Sequence, residues 1–143
     1  MYDPARGYPR IVPYLLYEDP NAAIDWLVDV LGLTEVIRWS MPDGKVGHSE
    51  LERGGFIVSI GVKGMAYGDV QSHTLVYVDD VDATAARAVE VGGTLLMEPG
   101  ERPWGLRQAL IADPEGQHWE ITQHARDAPA EEWGATQLAP MPG

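Results

Sequence analysis

His48 and Glu50 stand two residues apart, and so do His118 and Glu120. Side chains two apart on a β-strand share a face, so each pair can present an imidazole beside a carboxylate. For His48 and Glu50 this suits polar recognition of a ligand or a solvated cross-strand pair, whereas His73 and Glu120 could form a metal pair, a proton-transfer pair or a hydrogen-bonded polar pair. His73 supplies a further imidazole, and His124 lies past the last strand-like run without an assignable role. Trp39 and Trp104 offer flat apolar area that also attracts cations over the ring. Arg107 provides a planar donor fork suited to a carboxylate, with Glu101 as a competing partner within the chain. The chain has no cysteine, which excludes thiol nucleophiles, zinc fingers and iron–sulfur clusters. It also has no Gly-rich phosphate cradle, Ser-His-Asp order or nicotinamide fingerprint.

These residues must be held by one domain. The 143 residues carry 45% apolar and 22% charged side chains, an ordinary globular composition long enough to build a core without disulfides. Ten basic against 22 acidic residues leave a net charge of −12, which repels phosphate backbones and anionic lipid, so neither nucleic acid nor membrane is expected as a partner. No apolar run approaches the roughly 20 residues of a membrane span. The start, Met1-Tyr-Asp-Pro4, lacks the basic-then-apolar pattern of a signal peptide, so a cytoplasmic location is expected.

The chain repeats itself. An offset of 60 lays Leu15 on Leu75, Tyr17 on Tyr77, Asp19 on Asp79, Ala23 on Ala83, Gly32 on Gly92 and Thr34 on Thr94. Each copy opens with a strand-like run, Ile11 to Tyr17 or His73 to Val78, rich in β-branched and aromatic residues. A helix follows. In the first copy Asp19 caps it, Pro20 starts it, Ala23, Ile24, Leu27, Val28 and Leu31 form its apolar stripe, and Gly32 ends it. In the second, Asp82 is the expected cap and Ala86 and Val89 the buried positions. Three strands complete each copy: 34–40, 46–51 and 56–61, then 94–97, 107–112 and 118–123. The plan is α+β, two tandem βαβββ modules of about 11–64 and 72–124, flanked by an N-terminal arm over 1–10 and a C-terminal arm over 125–143. Trp133 favours docking of the latter arm.

The apolar strand residues Val58, Ile60, Val76, Val78, Trp119 and Ile121 must face the helices. Their neighbours face the other way, gathering Val12, Tyr14 and Leu16; His48 and Glu50; Ile57 and Ser59; His73, Leu75 and Tyr77; and His118, Glu120 and Thr122. That mixed face is either a solvated sheet surface or the wall of a ligand cavity.

The repeated plan, with Pro13-Tyr-Leu, Val46-Gly-His-Ser-Glu-Leu51, His73, Tyr77-Val-Asp-Asp-Val-Asp82 and Asp113-Pro-Glu-Gly-Gln-His-Trp119, resembles the vicinal oxygen chelate superfamily. That superfamily includes glyoxalase I, extradiol dioxygenases, and fosfomycin- and bleomycin-resistance proteins. The resemblance spans roughly Arg10 to His124, and the Asp-Pro-x-Gly turn is its most specific local signature. It implies a half-open curved mixed sheet with helices on the convex face, usually in a homodimer, with a small-molecule ligand on the concave face. It also implies four metal-ligand positions, of which the second module keeps His73 and Glu120 while the first holds Val12 and Ser59.

Two readings follow. The favoured one, in the manner of the bleomycin-resistance branch, is metal-independent sequestration of an aromatic or cationic natural product, with no catalytic residue and no cofactor. Its ligand-binding residues are Tyr14, Trp39, His48, Glu50, Ser59, His73, Trp104, Arg107, His118 and Glu120. The alternative is a lyase, isomerase or dioxygenase in which His73 and Glu120 hold one divalent metal ion.

Overall fold

A computed structural model describes residues 9–64 and 67–140. The expected arms over 1–10 and 125–143 therefore lie partly outside the described residues. Each module is a βαβββ unit: β1 (Tyr14–Tyr17), α1 (Pro20–Leu31), β2 (Thr34–Ser40), β3 (Val46–Arg53) and β4 (Phe56–Val62), then β5 (His73–Tyr77), α2 (Val81–Glu90), β6 (Thr94–Glu101), β7 (Leu106–Ala112) and β8 (His118–His124). The strands form two mixed sheets, ordered β1-β4-β3-β2 and β5-β8-β7-β6. In each, the first strand runs parallel to the last and the others pair antiparallel. No helix among the described residues is long and apolar enough to cross a membrane.

Alternation places the core as expected. Val58, Ile60, Val76, Val78, Trp119 and Ile121 are all buried against the helices in one apolar cluster shared by both modules. Asp19 caps α1 by accepting from the Ala22 amide, Pro20 starts the helix, and Gly32 closes it in the left-handed region at φ 67°. The buried stripe of α1 includes Trp26 and Val30, and Val28 turns outward.

The second helix differs from the sequence expectation. Its cap is Asp80, which accepts from Ala83 N at 3.0 Å, and Val81 is fully buried at the first helical position. Starting the helix two residues earlier sets the stripe by Val81, so Val81, Ala85 and Ala88 are buried while Ala86 and Val89 face solvent. Asp82 is released to pair with Arg107.

The repeat offset is also locally 61, not 60: the caps Asp19 and Asp80 correspond, and Leu15 and Tyr17 are buried where Leu75 and Tyr77 are exposed. A one-residue slip exchanges the two faces of a strand, so this offset decides which side chains lie on the face turned away from the helices.

The modules are joined through the turn between β7 and β8. Buried Asp113 accepts from the Tyr17 hydroxyl at 2.5 Å, Glu115 accepts from the Glu18 and Asp19 amides, and the Gln117 amide donates to Leu16 O. All four partner residues, Leu16 to Asp19, lie at the exit of β1. The helices meet through a two-pronged Arg87–Asp29 pair.

Glu35 provides a test by pH. It accepts both Arg38 prongs, at 2.8 and 2.9 Å, and the buried Ser49 hydroxyl, and the Arg38 bonds hold its carboxyl below the ordinary value of 4.5. A depressed folded value means stability that is present above the unfolded value and lost as pH falls through the folded one. Glu35→Gln is therefore expected to flatten the loss of thermal stability between about pH 5 and 3, measured by melting curves against pH. An unchanged slope would refute the assignment.

Candidate functional site

The first-module face is built by strand register. Trp39 pairs with His48 and His48 with Gly61, which pairs with Leu16; in the next row Ile37, Glu50, Ser59 and Tyr14 align. Gly61 gives this face its shape: a Cβ there would come within 2.7 Å of the Tyr14 ring. Without one, the phenol lies across the strand and reaches His48 Nδ1 at 2.9 Å. His48 Nε2 stands 3.5 Å from Glu50 Oε1, so a single tautomer donates weakly to Glu50 and accepts from Tyr14. Burial, then the proximity of Tyr67 and Glu50, raises the Tyr14 phenol above its ordinary value. The group thus acts as a hydrogen-bond donor rather than a phenolate. Tyr67 stacks tilted against Tyr14 at 5.4 Å, and the Trp39 indole lies over the bulge at Gly47, where any Cβ would collide with it. Trp39 is 59% exposed, a large apolar ring offered to solvent. Ser59 is buried beneath this layer.

The second-module face holds a tighter network. His73 Nε2 lies 2.8 Å from Glu120 Oε1. A carboxylate only accepts, so Nε2 carries the proton. The other carboxylate oxygen accepts from the Gln108 amide at 2.8 Å. The same amide nitrogen reaches Thr122 Oγ1 at 3.2 Å, and the amide oxygen accepts from the Trp104 indole at 2.9 Å. The His118 ring stands edge-on to His73 at 5.7 Å. Leu75, Tyr77 and Met97 share this face and are about half exposed.

Nine of the ten sequence-derived candidates thus fall into two clusters, one per module. Arg107 does not. It shares the helix-facing parity of Ala109 and Ile111, and both prongs bind Asp82 of α2, at 2.6 and 2.8 Å. The next residue, Gln108, is the one that faces the site. Charge singles out Arg107, whereas alternation from buried Ala109 and Ile111 is the signal that identifies Gln108 and Leu110. Tyr67 likewise lies outside the ten candidates, and Thr122 is on the mixed face that alternation predicts without being one of them. A separate apolar groove of about 600 Å³ runs between the start of β4 and the free edge of β5, lined by Ile11, Pro13, Phe56, Ile57, Leu75 and Tyr77 among others and by none of the ten candidates.

The donors present do not fit the metal set that the family resemblance implies. The first-module positions hold an aliphatic Val12 and a buried Ser59 hydroxyl, the two second-module donors are bonded to each other, and Glu120's remaining oxygen is bonded to Gln108. A divalent transition metal normally takes three or more protein ligands. Among the described residues no group of three or more His, Asp or Glu side chains is placed to share an ion.

Two four-stranded sheets from tandem βαβββ modules, each with a mixed polar and aromatic face, define the glyoxalase fold. The family profile of the Glyoxalase/Bleomycin resistance protein/Dioxygenase superfamily matches residues 9–121, and the chain belongs to that superfamily. Its members bind small molecules and often form dimers. The crystal structure of TioX from Micromonospora sp. ML1 is similar, with TM-score 0.67 and 36% identity over 82% of this chain and 98% of that one. An uncharacterised protein of Mycobacterium bovis is 33% identical over 135 residues, 87% of this chain and 89% of its own length. The anthracycline biosynthesis protein DnrV of Streptomyces peucetius is 39% identical over 71 residues, 48% of this chain but 26% of its own length.

Proposed function

We propose that the protein binds a planar aromatic, cationic natural product non-covalently on its concave face, without a metal, as a homodimer. The observation that carries this reading is the first-module cluster, in which Trp39, Tyr14 and Tyr67 offer ring faces beside Glu50 and the Tyr14–His48 pair. Ring faces and a nearby carboxylate suit a flat ligand bearing positive charge. The net charge of −12 raises the local concentration of such a ligand. Similarity to a protein named for anthracycline biosynthesis supports a natural product as the ligand class. Sequestration would work by mass action, needing protein at the ligand's concentration and a dissociation constant well below it. Trp39, Tyr77, Met97 and Leu75 leave large apolar area uncovered in one chain, which favours a second copy closing over the ligand.

Daunorubicin, planar and carrying one amino group, is the probe. Calorimetric titration is expected to show micromolar or tighter binding in a dimer, weakened roughly tenfold by Trp39→Ala and by Glu50→Gln. Absence of binding would remove this ligand class. The competing reading, a metal-dependent enzyme on His73 and Glu120, predicts about one tightly held ion per chain after purification without chelator, lost in His73→Ala. That result would replace the sequestration reading.

A further inference from the structure

We propose that the segment following β8 sets the orientation of the Gln108 amide, and through it the His73–Glu120 pair, making Trp133 a positioning residue for ligand binding. This rests on the reading of the concave face as the ligand site. The backbone amides of Ala125 and Arg126 both donate to Gly105 O, at 2.9 and 3.0 Å, in the tip of the β6–β7 hairpin. The Arg126 guanidinium donates to Pro103 O at 3.3 Å in the same tip and pairs with Glu132 at 3.0 Å. A 3-10 turn over Ala130–Trp133 then brings Trp133 edge-on against Trp104, with centroids 6.1 Å apart. The hairpin tip is thus held between the sheet and the chain's own C-terminal segment.

What the clamp controls is an amide with two possible orientations. The Trp104 indole can only donate, so it selects the orientation in which Gln108 Oε1 faces it and Nε2 faces Glu120. Turned over, the amide would set its oxygen against the Glu120 carboxylate and its nitrogen against the indole N–H, two mismatched contacts. Gln108 is 3% exposed, so water is poorly placed to relieve either mismatch. Thr122 Oγ1 supports the same choice by accepting from Nε2. Loosening Trp133 frees Trp104, removes the donor that decides the orientation, and lets Glu120 lose one of its two hydrogen bonds. Trp133 reaches the pair only through this chain of contacts.

The test follows the Trp indole N–H signals by NMR in the ligand-free protein and daunorubicin affinity by calorimetry, for the unaltered chain, Trp133→Ala and Trp133→Phe. In Trp133→Ala, exchange of the Trp104 indole proton is expected to speed up by roughly tenfold or more. The daunorubicin dissociation constant is expected to rise roughly fivefold. Trp133→Phe, which keeps an aromatic edge against Trp104, should restore both. Unchanged exchange at Trp104 in the Ala variant overturns the clamp, and faster exchange with unchanged affinity overturns its link to the site. If the unaltered chain does not bind daunorubicin, the ligand reading fails and this proposal falls with it. The indole signals identify that outcome separately from a failed clamp.

Discussion

Asp113→Ala is expected to lower the melting temperature by about 10 °C, a loss of roughly 3–5 kcal/mol. Asp113 Oδ2 accepts from the Tyr17 hydroxyl at 2.5 Å and from the Trp119 indole at 3.2 Å, and Oδ1 accepts from the Gln117 and Glu115 amides at 3.0 and 3.1 Å. Tyr17 and Trp119 are each 1% exposed, so their donors cannot turn to water when the carboxylate is gone. Leaving a buried donor unpaired costs about 1–3 kcal/mol, and this substitution strands two side-chain donors in the core. The damage also crosses the molecule, because Tyr17 belongs to the first module and Asp113 to the second. Burial outweighs these bonds and raises the Asp113 carboxyl above its ordinary value. A raised value means that this group favours the fold increasingly as pH falls towards the unfolded value, opposite in sign to Glu35. Asp113→Asn keeps one acceptor oxygen and should cost about half as much. Calorimetric melting decides the matter, and a fall of under about 3 °C for the Ala variant would mean that the modules do not depend on this link.

Gly93→Ala is the second large effect, expected at about 3 kcal/mol or failure to fold. Gly93 follows α2 and leads into β6, donating its amide to Ala88 O at 2.7 Å. An added Cβ would lie 2.8 Å from Ala88 O, 2.9 Å from Ala112 O and 2.9 Å from the Trp26 ring. Two of those atoms are backbone, held by the helix and by β7, and the third belongs to Trp26, which is 5% exposed, so none can give way cheaply. Gly44 offers the control: a Cβ there meets nothing, and its φ of 85° leaves only the local cost of the left-handed conformation. Equilibrium denaturation of both variants separates collision from backbone preference. Equal losses at the two sites would refute the packing argument.

The site was readable as far as alternation and residue type could carry it. The parity of each strand follows from where the large β-branched and aromatic residues stand, and burying those residues pushes His73, Glu120, His48 and Glu50 onto the opposite face. Arg107 shows where residue type misleads: its charge suggested a ligand contact, but its parity puts it beside α2, where Asp82 satisfies it. The α2 cap was displaced for a similar reason. Asp79, Asp80 and Asp82 are all chemically competent caps, and the choice fell to Asp80 because it lets Val81 enter the core. The pairing of Trp104 with Gln108 and Trp133 had no local signal, since it depends on a hairpin tip folding over a face and a terminal segment returning to meet it.

By itself the sequence determined the two βαβββ modules, the strand side of the core, the first helix with its cap and stop, and the face on which imidazoles, carboxylates and aromatic rings collect. Each of these depends on period, propensity or capping within about a dozen residues, where backbone sterics and the need to bury apolar area act locally. Only the tertiary structure decided which candidates touch. It set His73 against Glu120, turned the Gln108 amide, laid Tyr14 across Gly61, and bound the two modules through Asp113, Glu115 and Gln117. Those contacts join residues far apart in the chain, and directional hydrogen bonds between them form only after both partners are fixed by packing that no short window contains.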